Sequence, residues 1–213
     1  MILRLDAPLS GNTLKDSPYE YKIMKKIILA SASPTRKKLL EEAGLIFETT
    51  SSNYEEDMSL PLPPKELAMH LSRGKAKALA DKNKEAIIIG ADTFIVYKDK
   101  ILGKPHTREK AKEMLKMLSG KEHSAITGFT VIDSGNNKSV SRAIETKVFF
   151  KNLDGEEIDD YVATGESLNK VGAYAILELG RQLVKKIEGS ESNVAGLPME
   201  EVMETLKEFG VQI

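Results

Sequence analysis

The chain of 213 residues has no cysteine and no tryptophan, and only 6% of it is aromatic. Without cysteine there is no disulfide framework, no thiol nucleophile and no thiolate seat for zinc or an iron–sulfur cluster. Without tryptophan, and with the basic residues dispersed, a base-stacking platform for nucleic acid is not expected. Charge of either sign is nearly cancelled. Lys and Arg number 31 against 32 Asp and Glu, a net charge of −1, so any anion seat must be local rather than a property of the whole surface. No apolar run approaches the ~20 residues that span a bilayer. The familiar G-x-x-x-x-G-K-[S/T], G-x-S-x-G and H-E-x-x-H patterns are also missing. His70, His106 and His123 lack metal-ligand spacing and read as structural or surface residues.

What is present suits a soluble globular protein: 41% hydrophobic and 30% charged residues, in a chain long enough to bury a proper core. Residues 1–23 are expected to form an extension outside that core. They hold no sustained apolar segment and no small-residue cleavage site, so they make a poor signal peptide. Met24-Lys25-Lys26-Ile27 reads as a natural start, residues 24–213 as a single domain, and the cytoplasm as the expected compartment.

The chain is organised around Ile27–Leu40. An apolar run breaks at Ala30-Ser31-Ala32-Ser33 and becomes an apolar pattern at helical spacing. Ser33 suits the N-cap, and Pro34 suits the first helical position, where a missing N–H costs nothing. Strand, turn and helix start would aim free amides, hydroxyls and the Arg36 guanidinium one way, which is how a chain builds a phosphate seat. A well-capped helix carrying a surface Arg would leave the same pattern.

Further on, Ile46–Thr50 reads as a second strand and Ser51–Pro64 as a polar loop. A helix is expected from Lys65 to Asn83, with Leu67, Leu71, Ala78 and Leu79 on its apolar face. Ala86–Tyr97 is the strongest strand signal, with Ile101-Leu102 as a short return. Thr107 would cap a helix running to Leu118. Ser124–Asp133 and Ser139–Lys151 alternate about Ser134-Gly135-Asn136-Asn137, a β-hairpin pattern. Gly155–Ala163 reads as a short acidic helix, Gly165–Gly180 as irregular and Gln182–Ile187 as a strand. Glu188–Leu197 reads as a loop, and Pro198 opens a last helix through Phe209. Strands and helices mixed in this order, with one long hairpin, give an α/β fold that is not a pure βαβ series.

Asp92 falls inside an apolar run, where an ionised carboxylate needs a metal ion or a lysine beside it; its other role would be to cap a turn. Glu55, Glu56 and Asp57 form an acidic cluster in the Ser51–Pro64 loop. One of them could join Asp92 on Mg²⁺, or the run could simply be solvated. Lys104, between Gly103 and Pro105, is held in a defined pose, and Lys75 is a second lysine of that kind. An anion seat, one or two metal-binding acids and fixed lysines suit phosphoanhydride chemistry on a small nucleotide.

At these residues the chain resembles the Maf family (septum formation inhibitor Maf-like proteins), which are nucleoside triphosphate pyrophosphatases. Leu29-Ala30-Ser31-Ala32-Ser33-Pro34-Thr35-Arg36, Gly90-Ala91-Asp92-Thr93 and Gly103-Lys104-Pro105 carry the likeness. Leu118–His123 with Thr127-Gly128, Gly172-Ala173-Tyr174 and Val194–Pro198 extend it from about Met24 to Val211. The resemblance implies an α/β fold with an elongated, twisted mixed sheet flanked by helices, two lobes around a nucleotide cleft, and often a homodimer. It implies hydrolysis of a nucleoside triphosphate to the monophosphate and pyrophosphate with a divalent cation, Mg²⁺ or Mn²⁺. By motif, Ser33 and Arg36 would hold the triphosphate and Asp92 would bind metal or activate water. Glu56 would assist as the second metal ligand, while Lys75 and Lys104 would stabilise phosphate charge. Thr93 fits the branch acting on dTTP and UTP, whereas Thr35 and Leu177 stand where that branch has Arg and Gln. A nucleotide-binding regulator of cell division, with no essential turnover, is the reading from a different class.

Overall fold

The computed structural model describes residues 25–212, so the expected extension over residues 1–23 lies outside the described residues. A seven-stranded mixed sheet runs in the order β2-β1-β3-β5-β6-β7, with β4 paired to β3 off that path. Its strands are β1 (Lys26–Leu29), β2 (Glu48–Thr49), β3 (Ala86–Tyr97), β4 (Lys100–Leu102), β5 (Glu122–Asp133), β6 (Lys138–Phe150) and β7 (Val184–Glu188). The helices are α1 (Pro34–Glu42), α2 (Pro64–Ala80), α3 (Arg108–Leu118), α4 (Gly155–Ala163), α5 (Glu191–Ala195) and α6 (Met199–Glu208). Three short 3₁₀ turns fill the irregular stretch expected after α4.

Pairing along β3 positions the site. β1 runs parallel to residues 86–89 of β3, and β4 runs antiparallel to residues 95–97 along the same strand. Between those partners, residues 90–94 leave one edge of β3 unpaired at the carboxyl end of β1. That is where an open α/β sheet places its ligand crevice. The opposite edge is continuous, with β5 paired from Ile87 to Val96 and β6 paired to β5 in turn.

The two faces of β3 hold separate cores, because side chains alternate along a strand. Ile87, Ile89 and Ala91 pack with Phe129, Val131 and the α6 residues Val202 and Leu206. Ile88 and Phe94 point the other way, against Ala76 and Leu79 or Leu67 and Leu71 of α2. Asp92 belongs to this second face and lies opposite Gly128 of β5. A Cβ on Gly128 would sit 2.2 Å from the Ala68 carbonyl, and one on Gly90 would sit 2.4 Å from that of Ser72. Both glycines therefore exist to let α2 lie hard against the sheet on either side of Asp92. Gly128→Ala should force the helix backbone outward and cost about 3 kcal/mol. Urea unfolding would read the loss, and activity should fall with it as Lys75 is carried off.

Most expected elements appear within two residues of their predicted ends. The second strand is shorter than Ile46–Thr50: only Glu48 and Thr49 pair, with Ile28 and Leu29, and Ile46 is left 87% exposed. The α2 apolar face holds Leu67, Leu71 and Leu79 as expected, but Ala78 is only partly buried. Ala68, Ser72, Lys75 and Ala76 are buried in its place, since the glycine seats draw that side of the helix onto the sheet. The loop expected over Glu188–Leu197 contains α5. Ser190 caps it through the Asn193 amide, and Gly196 ends it at φ +112, a left-handed conformation that suits glycine.

Candidate active site

Beside the unpaired edge of β3 is a cleft of about 820 Å³ lined by all seven sequence-predicted site residues: Ser33, Arg36, Glu56, Lys75, Asp92, Thr93 and Lys104. They come from five separate segments, and the fold brings them to one wall and floor.

The turn between β1 and α1 forms as expected, with Ser33 at the N-cap accepting from the Arg36 amide and Pro34 in the first turn. It keeps fewer open amides than the sequence suggests. The Ser33 amide donates to Ser31 Oγ at 3.2 Å, the Arg36 amide is capped at 3.3 Å, and Pro34 has none. Among the described residues the Ser31, Ala32 and Thr35 amides have no acceptor, and these with the hydroxyls are what this turn offers a phosphate.

Arg36 is not a free surface charge. Its Nε donates to the Gly196 carbonyl at 2.7 Å and its Nη1 to the Ala91 carbonyl at 2.9 Å and to Ser31 Oγ at 3.3 Å. Its Nη2 donates to Thr93 Oγ1 at 2.9 Å. Four of the five guanidinium N–H groups are thus committed, tying α1, the open edge of β3 and the end of α5 together. Burial pushes the guanidinium pKa down, while the negative charges of Asp92 and Glu56 pull it back up.

Thr93 continues this network. Thr127 Oγ1 donates to the Asn193 carbonyl at 2.9 Å, so in its 2.9 Å contact with Thr93 it must accept. The order runs Arg36 to Thr93 to Thr127 to Asn193. Thr93 has then spent its one proton and keeps a lone pair, so it can accept from a ligand but not donate.

On the other face, Lys75 Nζ contacts Asp92 Oδ1 and lies 2.8 Å from Glu56 Oε1. Asp92 sits inside β3, not at a strand end, so the turn-cap alternative does not hold; a lysine compensates its burial. Glu56 is the member of the acidic cluster that reaches the site. Asp57 turns back to Ser59, which holds its carboxyl below the usual range, and among the described residues Glu55 has no ion-pair partner. The loop carrying Glu56 is pinned by Tyr54, whose ring covers Gly74 so closely that a Cβ there would lie 2.3 Å from it. Glycine inside a helix costs about 1 kcal/mol. In Arg73-Gly74-Lys75 it makes room for that ring. Lys104 is exposed on the cleft wall, with no ion-pair partner among the described residues.

Sequence reasoning missed Ser31, Thr127, Asn193 and the Gly196 carbonyl. A signal existed for α5, since Ser190 and Gly196 carry the cap residues of a short helix. Nothing local marks the role of Thr127, whose partners lie 34 and 66 residues away, whereas Ser31 bonds within its own turn, to the Ser33 amide and to Arg36. His123, expected to be structural or at the surface, is structural. It is buried on the wall behind Tyr174, with Nε2 2.9 Å from the phenol oxygen and, among the described residues, no partner for Nδ1. Desolvation lowers its pKa from 6.5 to about 4. Between those values the unfolded chain binds a proton that the folded one refuses. The stability of this site is complete above pH 6.5 and lost as the pH falls towards 4, about 3 kcal/mol in all. Urea unfolding of wild type and His123→Gln across that window should give a flatter pH profile for the variant.

An α/β sheet with a crevice at the switch point, a guanidinium-braced floor and two carboxylates on one ammonium defines a protein that handles a small polyanion. Residues 26–209 match the Maf-like protein family, and the chain belongs to that family. Its relatives include the dTTP/UTP pyrophosphatase of Thermoanaerobacter sp. (strain X514), 48% identical over 190 residues, covering 88% of this chain and 99% of the relative. The dTTP/UTP pyrophosphatase of Geobacillus sp. (strain WCH70) is 46% identical over 187 residues, 88% of this chain and 100% of the relative. That of Bacillus cereus (strain ATCC 10987 / NRS 248) is 44% identical over 190 residues, 89% and 93%. No helix among the described residues is long and apolar enough to cross a membrane.

Proposed function

We propose that this chain is a metal-dependent nucleoside triphosphate pyrophosphatase, acting on dTTP, UTP or modified pyrimidine nucleotides. The observation that carries the reading is the meeting of Glu56, Lys75 and Asp92 beside the Ser33–Arg36 turn, in a chain whose relatives are named for that activity.

In the reaction water attacks the α-phosphorus, the bond to the α–β bridging oxygen breaks, and its electron pair leaves with pyrophosphate. Asp92 orients the water and takes its proton. Ser33 and the Thr35 amide hold phosphate oxygens, Lys104 and Lys75 neutralise them, and Arg36 braces the floor beneath. Four cations, Arg36, Lys75, Lys104 and Lys170, against the three carboxylates of Glu56, Asp92 and Glu178 give the cleft a net positive charge that favours a polyanion. Positioning and charge neutralisation supply most of the rate, because the phosphorus under attack is already anionic.

Among the described residues no three or more His, Asp or Glu side chains are arranged to hold a metal ion by themselves. Two carboxylates converging on a single cation nevertheless fit a hard divalent ion, Mg²⁺ or Mn²⁺, which keeps several waters and takes its other oxygens from substrate phosphates. When bound at Glu56 and Asp92, such an ion would polarise the phosphate and lower the pKa of the attacking water.

For the base, Thr93 as an acceptor suits the N3–H that thymine and uracil carry and cytosine lacks. Leu177 lines the same cleft, 39% exposed, and Thr35 lies at its turn. Neither offers the polar reach of the Arg and Gln found in the dTTP/UTP branch, so modified pyrimidines belong on the substrate panel. We place residues 24–213 as one domain of two lobes, working in the cytoplasm as a homodimer, with residues 1–23 outside its core.

Release of pyrophosphate and monophosphate in equal amounts from dTTP, UTP and modified nucleotides, with Mg²⁺ or Mn²⁺, tests the reading. Turnover of none of them by folded protein would sink it. Nucleotide binding without turnover would instead favour the regulatory role.

A further inference from the structure

Lys75 is placed where a lysine meant only for phosphate would not rest. Its ammonium touches Asp92 Oδ1 and Glu56 Oε1, the latter at 2.8 Å, and its side chain is only 11% exposed. These are the two carboxylates that would take a divalent ion, on the metal-dependent reading above, which this inference assumes. One oxygen of each already points at the ammonium. A divalent ion cannot share that space, because like charges a few ångströms apart repel strongly in a partly desolvated site.

We propose that Lys75 is a resident cation that the metal must exchange. In the nucleotide-free protein its ammonium closes the metal seat, and it moves to the substrate phosphates as the ion enters. The fold suits the exchange. The backbone of α2 is fixed against Gly90 and Gly128, so only the flexible four-carbon stem has to swing. The cleft supplies the second position, since the Ser33 turn and Lys104 line the same space. At neither end are the carboxylates left without a counter-charge, a state that is costly in a partly buried site. Metal and nucleotide therefore bind with positive coupling: each is disfavoured alone, and each relieves the other.

Mn²⁺ binding to the nucleotide-free full chain, followed by the electron paramagnetic resonance of free Mn²⁺, tests this directly. Lys75→Met, which keeps the length of the stem and loses the charge, should bind at least about tenfold more tightly than wild type. Lys75→Arg, which keeps the charge, should gain much less. Equal or weaker binding by a folded Lys75→Met overturns the proposal. Should that variant not fold, wild type alone decides the matter. Saturating Mg²⁺ should raise the rate of Lys75 acetylation, read by mass spectrometry, as the ammonium leaves its two partners; an unchanged rate overturns the proposal. Neither measurement involves turnover, so a failure of pyrophosphate release would remove the proposed activity without touching the exchange, and the reverse holds too.

Discussion

Asp92→Asn is expected to lower pyrophosphate release about 10³-fold while leaving the protein folded. The amide matches the carboxylate in size, and its oxygen can still accept from Lys75, so the fit beneath α2 is kept. What disappears is the acceptor for the water's proton and one of two charged ligands for the ion. Glu56 alone, reaching in from a loop and 43% exposed in its side chain, is poorly placed to replace it. A pyrophosphate assay beside thermal unfolding separates the two effects. A rate within tenfold of wild type would remove Asp92 from the chemistry.

Arg36→Ala should damage stability and activity together. It removes four hydrogen bonds, leaving the Ala91 carbonyl without its side-chain donor and the Gly196 carbonyl with only the long 3.4 Å contact from Thr93 Oγ1. Each partly buried carbonyl left unpaired costs on the order of 1–3 kcal/mol, so a loss of about 3 kcal/mol overall is expected in urea unfolding. Thr93 loses the bond that orders its hydroxyl, and the end of α5 loses its tie to α1. Turnover should fall at least about a hundredfold, through KM as well as kcat, because floor and turn both shift. Arg36→Lys should rescue little, since a single ammonium cannot span three segments. Full stability in Arg36→Ala would show that the residue serves only the ligand.

Much of the fold was legible because it is written locally. The run Ala86–Tyr97 is long, apolar and β-branched, and it became β3 with the same ends. Gly155–Ala163 became α4, opened by a capping box between Asp154 and Glu157. The second strand is shorter than its apolar run suggests, with Ile46 left exposed, and α5 lies where a loop is expected, because a five-residue helix has too little periodicity to show. Of the site, the candidates themselves were legible, and their order of importance was not. Lys75 reads from the sequence as a second lysine of the Lys104 kind, yet it holds the two carboxylates, while Lys104 stands on the exposed wall.

The strand–turn–helix at Ser33, the acid inside an apolar strand and the absence of every thiol-based chemistry follow from residue order and type alone. Each depends on backbone preference, on the cost of burying charge, or on a residue type being missing, and none needs a distant partner. That Arg36 braces instead of protruding, that Thr93 accepts and cannot donate, and that one ammonium joins Glu56 to Asp92 is fixed only on folding. Those outcomes depend on how closely α2 can approach the sheet over Gly90 and Gly128, and on which carbonyls lie along the unpaired edge of β3. Distances between segments far apart in sequence set both, and such distances exist only once the chain has folded.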